Sequence, residues 1–261
     1  MAQNAHTSKR GHTLPIYPVY LMSPSRAAYL LLEGRRLICL VRHGQTDWNQ
    51  IKRLQGRENV PLNEIGIRQA RHTAELFRRS VLYGVRFGTV CTSPLSRAVD
   101  TAGYIQAALS DPSTPCSAEL PASPAPLTSL NILPQLIERD YGSLSGLTLE
   151  ERRHQFPGGE KQAGDVESVP MAAARMYNAF DDMLEAVPEH AIIGVTHGGI
   201  LNAVFSRLTA GEIGTGRSLT VNCSVSLVAA GIGSPIPLAY NLQEQGILDY
   251  LRKMTYSGAD F

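Results

Sequence analysis

An α/β fold with a mostly parallel sheet, covered by helices on both faces, is predicted by three observations. Short runs are apolar without interruption, as in Leu37-Ile38-Cys39-Leu40-Val41 and Ala191-Ile192-Ile193-Gly194-Val195. Strands buried on both faces read this way, because no face is left for polar residues. These runs alternate with segments whose apolar residues recur at helical spacing. Finally, 261 residues, 43% of them hydrophobic, suffice for one large domain with a sizeable core.

Residues 1–34 are irregular, polar as far as Gly11 and then broken by Pro15, Pro18 and Pro24. They read as an N-terminal extension, and the main domain is expected over residues 35–261. After the first strand, Asn63 opens a helix with Ile65, Ala70, Ala74, Phe77 and Val81 on its apolar face. Thr89-Val90-Cys91-Thr92 reads as a second strand. Ser93-Pro94 is expected to cap the following helix, whose inner face carries Ala98, Ala102, Ile105 and Leu109. Residues 111–129 are rich in Pro, Ser and Ala and predict a long surface loop. Residues 171–187 predict a helix with Met176, Phe180, Met183, Leu184 and Val187 as its core stripe. Gly198-Gly199 leads into a helix with Ile200, Val204 and Leu208, and Ser226-Leu227-Val228-Ala229 is the last strand candidate.

Composition narrows the function. The 24 Lys and Arg nearly balance the 23 Asp and Glu, for a formal net charge of +1. Broad electrostatic adhesion to nucleic acid or membrane is therefore not expected, and any anion must be held by a few placed cations. Cys39, Cys91, Cys116 and Cys223 are far apart and lie in no zinc-like spacing. They read as free thiols, which points to a reducing cytoplasm. No apolar run reaches the length of a membrane span; residues 17–32 come nearest but contain Pro18, Pro24, Ser25 and Arg26. No signal peptide is expected.

The chemistry is expected at strand ends, because ligands of open α/β sheets bind beyond the carboxyl ends of the strands. The first strand runs into Arg42-His43-Gly44, and the strand at 191–195 runs into Thr196-His197-Gly198-Gly199. The strand ending at Thr92 delivers Ser93 and, a turn later, Arg97. Two imidazoles and two guanidiniums thus converge. Guanidinium forks match phosphate oxygens. Gly44 and Gly198 would let backbone amides approach an anion, aided by helix N-termini. An imidazole among fixed cations is biased to its neutral, nucleophilic form. The pattern points to phosphoryl transfer through a histidine, with no metal. A leaving oxygen needs a proton, which either Glu138 or Asp140 could give.

These residues also carry a resemblance. Arg42-His43-Gly44-Gln45-Thr46, with Asn49, resembles the R-H-G-x-T-x-x-N signature of the histidine phosphatase superfamily, the phosphoglycerate mutase-like group. Leu54-Gln55-Gly56, Pro61-Leu62-Asn63, Gly66 and Gln69-Ala70 are similar to its next segment. Ser93-Pro94-Leu95-Ser96-Arg97-Ala98, Glu138-Arg139-Asp140-Tyr141-Gly142 and Thr196-His197-Gly198-Gly199 resemble its later motifs, in the same order. The resemblance implies a three-layer α/β/α sandwich whose mostly parallel sheet has one antiparallel strand. It implies His43 as the nucleophile that becomes phosphohistidine, and Arg42, Arg97 and His197 as holders of the phosphoryl oxygens. Asn49, Gln55, Gly56 and Gly198 would assist in binding. Glu138, rather than Asp140, falls at the general acid position. No cofactor is implied.

The long basic insertion of the family's mutases is missing after Gly146, where Thr148-Leu149-Glu150-Glu151 reads as a helix start. That favours the phosphatase branch and a small phosphorylated metabolite as the partner, with neither nucleic acid nor membrane; a homodimer is compatible with this. The rivals are a phosphoglycerate mutase and a non-catalytic phospho-ligand sensor. The family's Glu-Ser motif with a later Arg is represented by Glu167-Ser168 and Arg175. Residues 158–165 look like an insertion where the family's substrate-covering segment lies. Trp48 reads as packing or as a pocket wall. Arg152, Arg153 and Lys161 read as a solvated helix end that could reach a second anionic group. His6, His12, His72, His154 and His190 read as surface residues.

Overall fold

The computed structural model describes residues 18–111, 130–186 and 190–256. The loop expected at 111–129 falls, apart from Asp111, outside the described residues, as do Val187, Cys116, His6 and His12. One seven-stranded sheet forms the centre, with strands β1 (Val19–Tyr20), β2 (Arg36–Arg42), β3 (Phe87–Thr92), β4 (Leu130–Ile132), β5 (Ala191–Thr196), β6 (Val225–Ala230) and β7 (Ile236–Leu242). Their order across the sheet is β1-β7-β6-β2-β5-β3-β4. β2, β5, β3 and β4 are parallel neighbours, while β6 runs antiparallel to both β2 and β7. The sheet is thus mostly parallel with β6 reversed within it, and β1 pairs antiparallel at the edge as a second reversed strand.

Alternation along β2 explains the uninterrupted apolar run. Leu37, Cys39 and Val41 enter one core, and Ile38 and Leu40 enter the other. The first core is closed by helices α1 (Pro24–Leu32), α3 (Glu64–Val81), α4 (Ser96–Ser110) and α9 (Gln245–Thr255), through residues such as Leu30, Phe77, Ala102 and Leu251. The second is closed by α7 (Val169–Ala186) and α8 (Gly198–Leu208), through Met176, Phe180, Met183, Ile200 and Val204. Three short helices lie outside these layers: α2 (Asp47–Gln50), α5 (Leu149–Gln155) and α6 (Glu160–Ala163). Cys39, Cys91 and Cys223 are buried free thiols.

Local signals account for the helix starts. The Asn63 side chain accepts from the Gly66 N–H to open α3, and Thr148 with Glu151 forms a capping box on α5. One start differs from expectation. α4 begins at Ser96, after Leu95, which makes no side-chain cap. The Ser93 hydroxyl is drawn away from a capping role: it accepts from the Leu95 N–H and lies 2.7 Å from His197 Nε2. The Ser-Pro pair that does start a helix is Ser23-Pro24, where Ser23 Oγ accepts from the Arg26 N–H and Pro24 opens α1. Residues 19–32, read from sequence as part of an irregular extension, therefore build the edge strand and a core helix. Ala27, Ala28, Leu30 and Leu31 are all buried.

Candidate functional site

Sheet order brings the expected strand ends together. β2, β5 and β3 are neighbours, and the chain keeps its hydrogen bonding past each strand. The His43 N–H donates to Thr196 O at 2.9 Å, and the Ser93 N–H donates to Val195 O at 3.0 Å. His43 and His197 consequently lie side by side, with ring centroids 5.0 Å apart and the ring planes tilted by 57°. They are 2% and 0% exposed, and Arg97 is 1% exposed.

Hydrogen bonding fixes the His43 tautomer. Its Nδ1 is 2.7 Å from Gly44 O, and a carbonyl can only accept. Nδ1 therefore carries the proton and Nε2 keeps its lone pair in the neutral ring. Burial, followed by the charges of Arg97 and Arg42, holds the His43 pKa well below the ordinary histidine value. His197 is lowered likewise, by burial first and then by Arg97, His43 and Arg42. Desolvation is thus the larger cause, ahead of the neighbouring cations that sequence reasoning invoked.

The guanidiniums are fixed from behind. Arg97 donates to Glu58 O at 2.5 Å and to Gly56 O at 2.9 Å. Arg42 donates to Thr220 O at 2.5 Å. Burial lowers Arg97 to about 10, which still leaves it charged at neutral pH. Arg42 Nε, Arg97 Nε, His197 Nδ1 and Gln55 Oε1 are buried without a partner. Among the described residues, only Arg36, Gln135 and Ser224 share that condition. Buried polar atoms are ordinarily paired, so three unpaired nitrogens in one cluster fit a ligand rich in hydrogen-bond acceptors.

Glu138 is 8% exposed and caps the start of α8. Its carboxylate accepts from the N–H groups of Gly199 at 3.0 Å, Ile200 at 2.9 Å and Arg139 at 2.8 Å. Its charge acts on both Arg42 and Arg97. Asp140 is engaged elsewhere: it pairs with Arg57 at 3.2 Å and accepts from the Gly142 N–H at 2.9 Å. Gly199 makes this arrangement possible: a Cβ there would stand 2.3 Å from Tyr141 Oη and 2.7 Å from Glu138 Oε1. At Gly198, the first residue of α8, space is also tight: a Cβ would stand 2.9 Å from Thr220 Oγ1 and 3.2 Å from Arg42 Nε.

The expected anion cradle of backbone amides is not what these glycines form. The Gly44 N–H is taken by Thr101 Oγ1 at 3.0 Å, and a Cβ on Gly44 would stand 2.5 Å from Gly66 O. Gly44 thus allows close approach to α3. The N-terminal amides of α8 hold Glu138 instead of facing an anion. The remaining cationic groups are side chains.

The other expected residues vary in place. Asn49 sits in a capping box with Thr46, and its Oδ1 accepts from Asn222 Nδ2 at 3.2 Å. Gln55 is buried; Gly56 has φ +53 and gives its carbonyl to Arg97. Trp48 is half-buried, with Arg53 5.7 Å over its ring. Arg152 reaches back toward Thr148 O, while Arg153 and Lys161 are exposed. His72 and His154 are exposed and His190 is half-buried. Thr220 and Asn222 are the residues that sequence reasoning missed. They lie just before β6, and because β6 is antiparallel to β2, its entrance shares an edge with the exit of β2. Asn222 Nδ2 donates to His43 O at 3.0 Å. The missing signal was strand direction. Among the described residues, no group of three or more His, Cys, Asp and Glu could hold a metal ion, and no helix is long and apolar enough to cross a membrane.

Residues 38–243 match the family model of the histidine phosphatase superfamily, branch 1. An uncharacterized phosphatase, PhoE, of Bacillus subtilis (strain 168) is 30% identical over 189 residues, 72% of this chain and 86% of that protein. A metal-independent phosphoserine phosphatase of Arabidopsis thaliana is 32% identical over 201 residues, 73% of this chain and 75% of that one. A probable phosphoglycerate mutase, GpmB, of Yersinia pestis (strain Pestoides F) is 33% identical over 193 residues, 73% and 83%. In fold, the chain is similar to a mycobacterial glucosyl-3-phosphoglycerate phosphatase solved with VO3. The TM-score is 0.63 at 22% identity, covering 79% of this chain and 98% of that one. The chain belongs to the histidine phosphatase superfamily.

Proposed function

We propose that this member of the histidine phosphatase superfamily is a metal-independent phosphomonoesterase, which hydrolyses a small phosphorylated metabolite through a phosphohistidine on His43. The observation that carries the proposal is the His43 ring: Nδ1–H is committed to Gly44 O, and the ring is kept neutral by burial beside Arg97 and Arg42. A neutral imidazole with a free Nε2 lone pair is a nucleophile at neutral pH.

In the first step, His43 Nε2 attacks phosphorus and the P–O bond to the leaving alcohol breaks. A proton passes from the Glu138 carboxyl to the departing oxygen. Arg42, Arg97 and His197 bind the phosphoryl oxygens, with their unpaired nitrogens as donors and Asn49, Gln55, Gly56 and Gly198 shaping the surroundings. In the second step, Glu138 as carboxylate takes a proton from water. The water oxygen bonds to phosphorus, the P–N bond breaks, and inorganic phosphate leaves with neutral His43 restored.

Hydrolysis is favoured over a mutase by the passage from Gly146 directly into α5, with no basic insertion between them. Against a non-catalytic sensor stands the presence of nucleophile, acid and clamps together. The test is phosphate release in excess chelator from 3-phosphoglycerate, phosphoserine, sugar phosphates, nucleotides and an aryl phosphate, for wild type and His43→Ala. Chelator-resistant release that is lost in His43→Ala is expected. Release that needs a metal, or that survives His43→Ala, would overturn the proposal. Interconversion of phosphoglycerates without phosphate release would favour the mutase.

A further inference from the structure

The segment carrying Glu138 has little regular structure of its own. Residues 138–141 lie between two short 3-10 turns, Pro134–Leu136 and Gly142–Leu144. Its position is set instead by side chains from residues 160–175. Glu167 is central. Its Oε2 accepts from the Asp140 N–H at 3.0 Å, and its own N–H donates to Asp140 O at 2.8 Å. Its carboxylate also pairs with Arg175 at 2.9 Å and Arg57 at 3.4 Å. Arg175, held there, donates to Gln135 O at 2.6 Å, Ile137 O at 2.9 Å and Glu138 O at 3.4 Å. Arg57 Nε adds a bond to Glu138 O at 3.3 Å.

The residues read as an insertion extend the same brace. Glu160 pairs with Arg139 at 2.6 Å, and Arg139 Nε donates to Glu167 O at 2.8 Å. Asp165 accepts from the Ser143 N–H at 2.8 Å and from its hydroxyl at 3.0 Å. A Cβ on Gly142 would stand 2.3 Å from the Asp165 carboxyl, so loop and brace are in contact. Residues 137–140 and 143 are each tied to this region by at least one bond.

We propose that Glu167 is a positioning residue for the general acid: with Arg175, and assisted by Glu160 and Asp165, it holds the 137–143 backbone so that Glu138 meets the leaving oxygen. The proposal rests on the reading of Glu138 as the acid. Burial pushes the Glu167 carboxyl up, but the Arg175 hydrogen bond, the Asp140 N–H and Arg57 outweigh it, so Glu167 remains ionised at neutral pH. A shift of the loop by even about 1 Å would misalign the proton donor, and such displacements cost up to roughly 100-fold in rate.

Leaving-group dependence separates this role from a structural one. An alkoxide needs the proton in order to leave, whereas 4-nitrophenolate departs without it. Wild type, Glu138→Gln, Glu167→Gln and the double variant would be compared on the best alkyl ester of the panel above. The pre-steady-state burst of 4-nitrophenyl phosphate would be followed in parallel. For Glu167→Gln, kcat on the alkyl ester is expected to fall about 10- to 100-fold. KM and the aryl burst rate would stay within about threefold of wild type, as for an interaction made only in the transition state. The double variant would be no slower than Glu138→Gln alone, because both changes act through one group. Equal slowing of both esters in Glu167→Gln, or a further loss in the double variant, would overturn the proposal. If Glu138→Gln itself slows both esters equally, the acid assignment falls instead. Should Glu167→Gln fail to fold, Glu160→Gln with Asp165→Asn carries the same test, with the same pattern expected at smaller size.

Discussion

His43, His197 and Ser93 stand at the ends of three neighbouring strands, whereas Glu138 stands in a stretch of irregular backbone that carboxylates and guanidiniums tie down. On the histidine side, main-chain bonds do the positioning: His43 N–H to Thr196 O and Ser93 N–H to Val195 O extend the sheet. Such bonds do not depend on side-chain identity, so that side is insensitive to most surface substitutions. On the acid side, Glu160, Asp165, Glu167, Arg57 and Arg175 each contribute through their side chains. Single substitutions can therefore move Glu138 without disturbing His43. Two halves of one site thus have different mutational tolerance, because one is fixed by backbone and the other by charge.

The largest expected effect lies on the histidine side. If His43 is the nucleophile, His43→Ala lowers kcat by roughly 10⁴-fold or more on every ester, since the covalent route is lost; steady-state phosphate release checks this. Next, Glu138→Gln is expected to cost about 10²- to 10⁴-fold on alkyl esters, the usual range for a proton donor. Its aryl burst would be nearly intact, and an equally slow burst would erase the distinction between the halves. Gly199→Ala comes third. The added methyl group meets Tyr141 Oη and Glu138 Oε1, so the acid side must shift while the strand ends stay in place. Such overpacking typically costs about 1–3 kcal/mol. Thermal unfolding and the alkyl-to-aryl rate ratio would both fall, and an unchanged ratio would place the strain elsewhere.

A pH effect sharpens the comparison from the stability side. Both imidazoles have folded pKa values well below the unfolded value of 6.5. Below pH 6.5 the unfolded chain binds protons that the folded chain refuses, so stability falls as pH drops from 6.5 toward the lowered folded values. Above 6.5 the effect vanishes. Each buried histidine contributes a slope of roughly 1 kcal/mol per pH unit in that window, so denaturant unfolding of His197→Gln is expected to show about half of it. Glu167 acts at lower pH: its depressed pKa adds stability that is present above the ordinary carboxylate range and is lost as pH falls through the folded value. The smallest effect is expected for Ser93→Ala. It removes one hydrogen bond to His197 Nε2, worth about 1 kcal/mol or roughly fivefold in rate, while the main-chain bonds remain. A loss near that of Glu138→Gln would show that side chains govern both halves.

The strands that set the histidine side were legible because parallel strands buried on both faces leave uninterrupted apolar runs, as at β2 and β5. Their end residues followed directly, Arg97 among them, and the family motifs singled out Glu138 over Asp140. β7 was not legible, because Pro235 and Pro237 interrupt its pattern, and Pro237 pairs with Val228 beside a register shift. β1 is only two residues long, and α1 is hidden behind the prolines of an irregular-looking stretch. Thr220 and Asn222 escaped because they precede a strand whose direction its sequence does not carry. The brace on Glu138 escaped for a related reason: Glu167 and Arg175 read only as a family motif, and Glu160 and Asp165 only as part of an insertion, until the chain folds them onto residues 137–143. Ser93 shows the opposite error, since a local capping signal was overridden by a histidine 104 residues away.

The covalent step proposed on His43 is best tested by trapping its product. Wild type and Glu138→Gln would be mixed with ³²P-labelled 4-nitrophenyl phosphate in excess chelator, quenched in base within one turnover, and digested for peptide mapping. Base-stable, acid-labile label on His43, increased in Glu138→Gln where water activation is slowed, is the expected result. Turnover with label on another residue, or turnover with no trapped label in either protein, would contradict it.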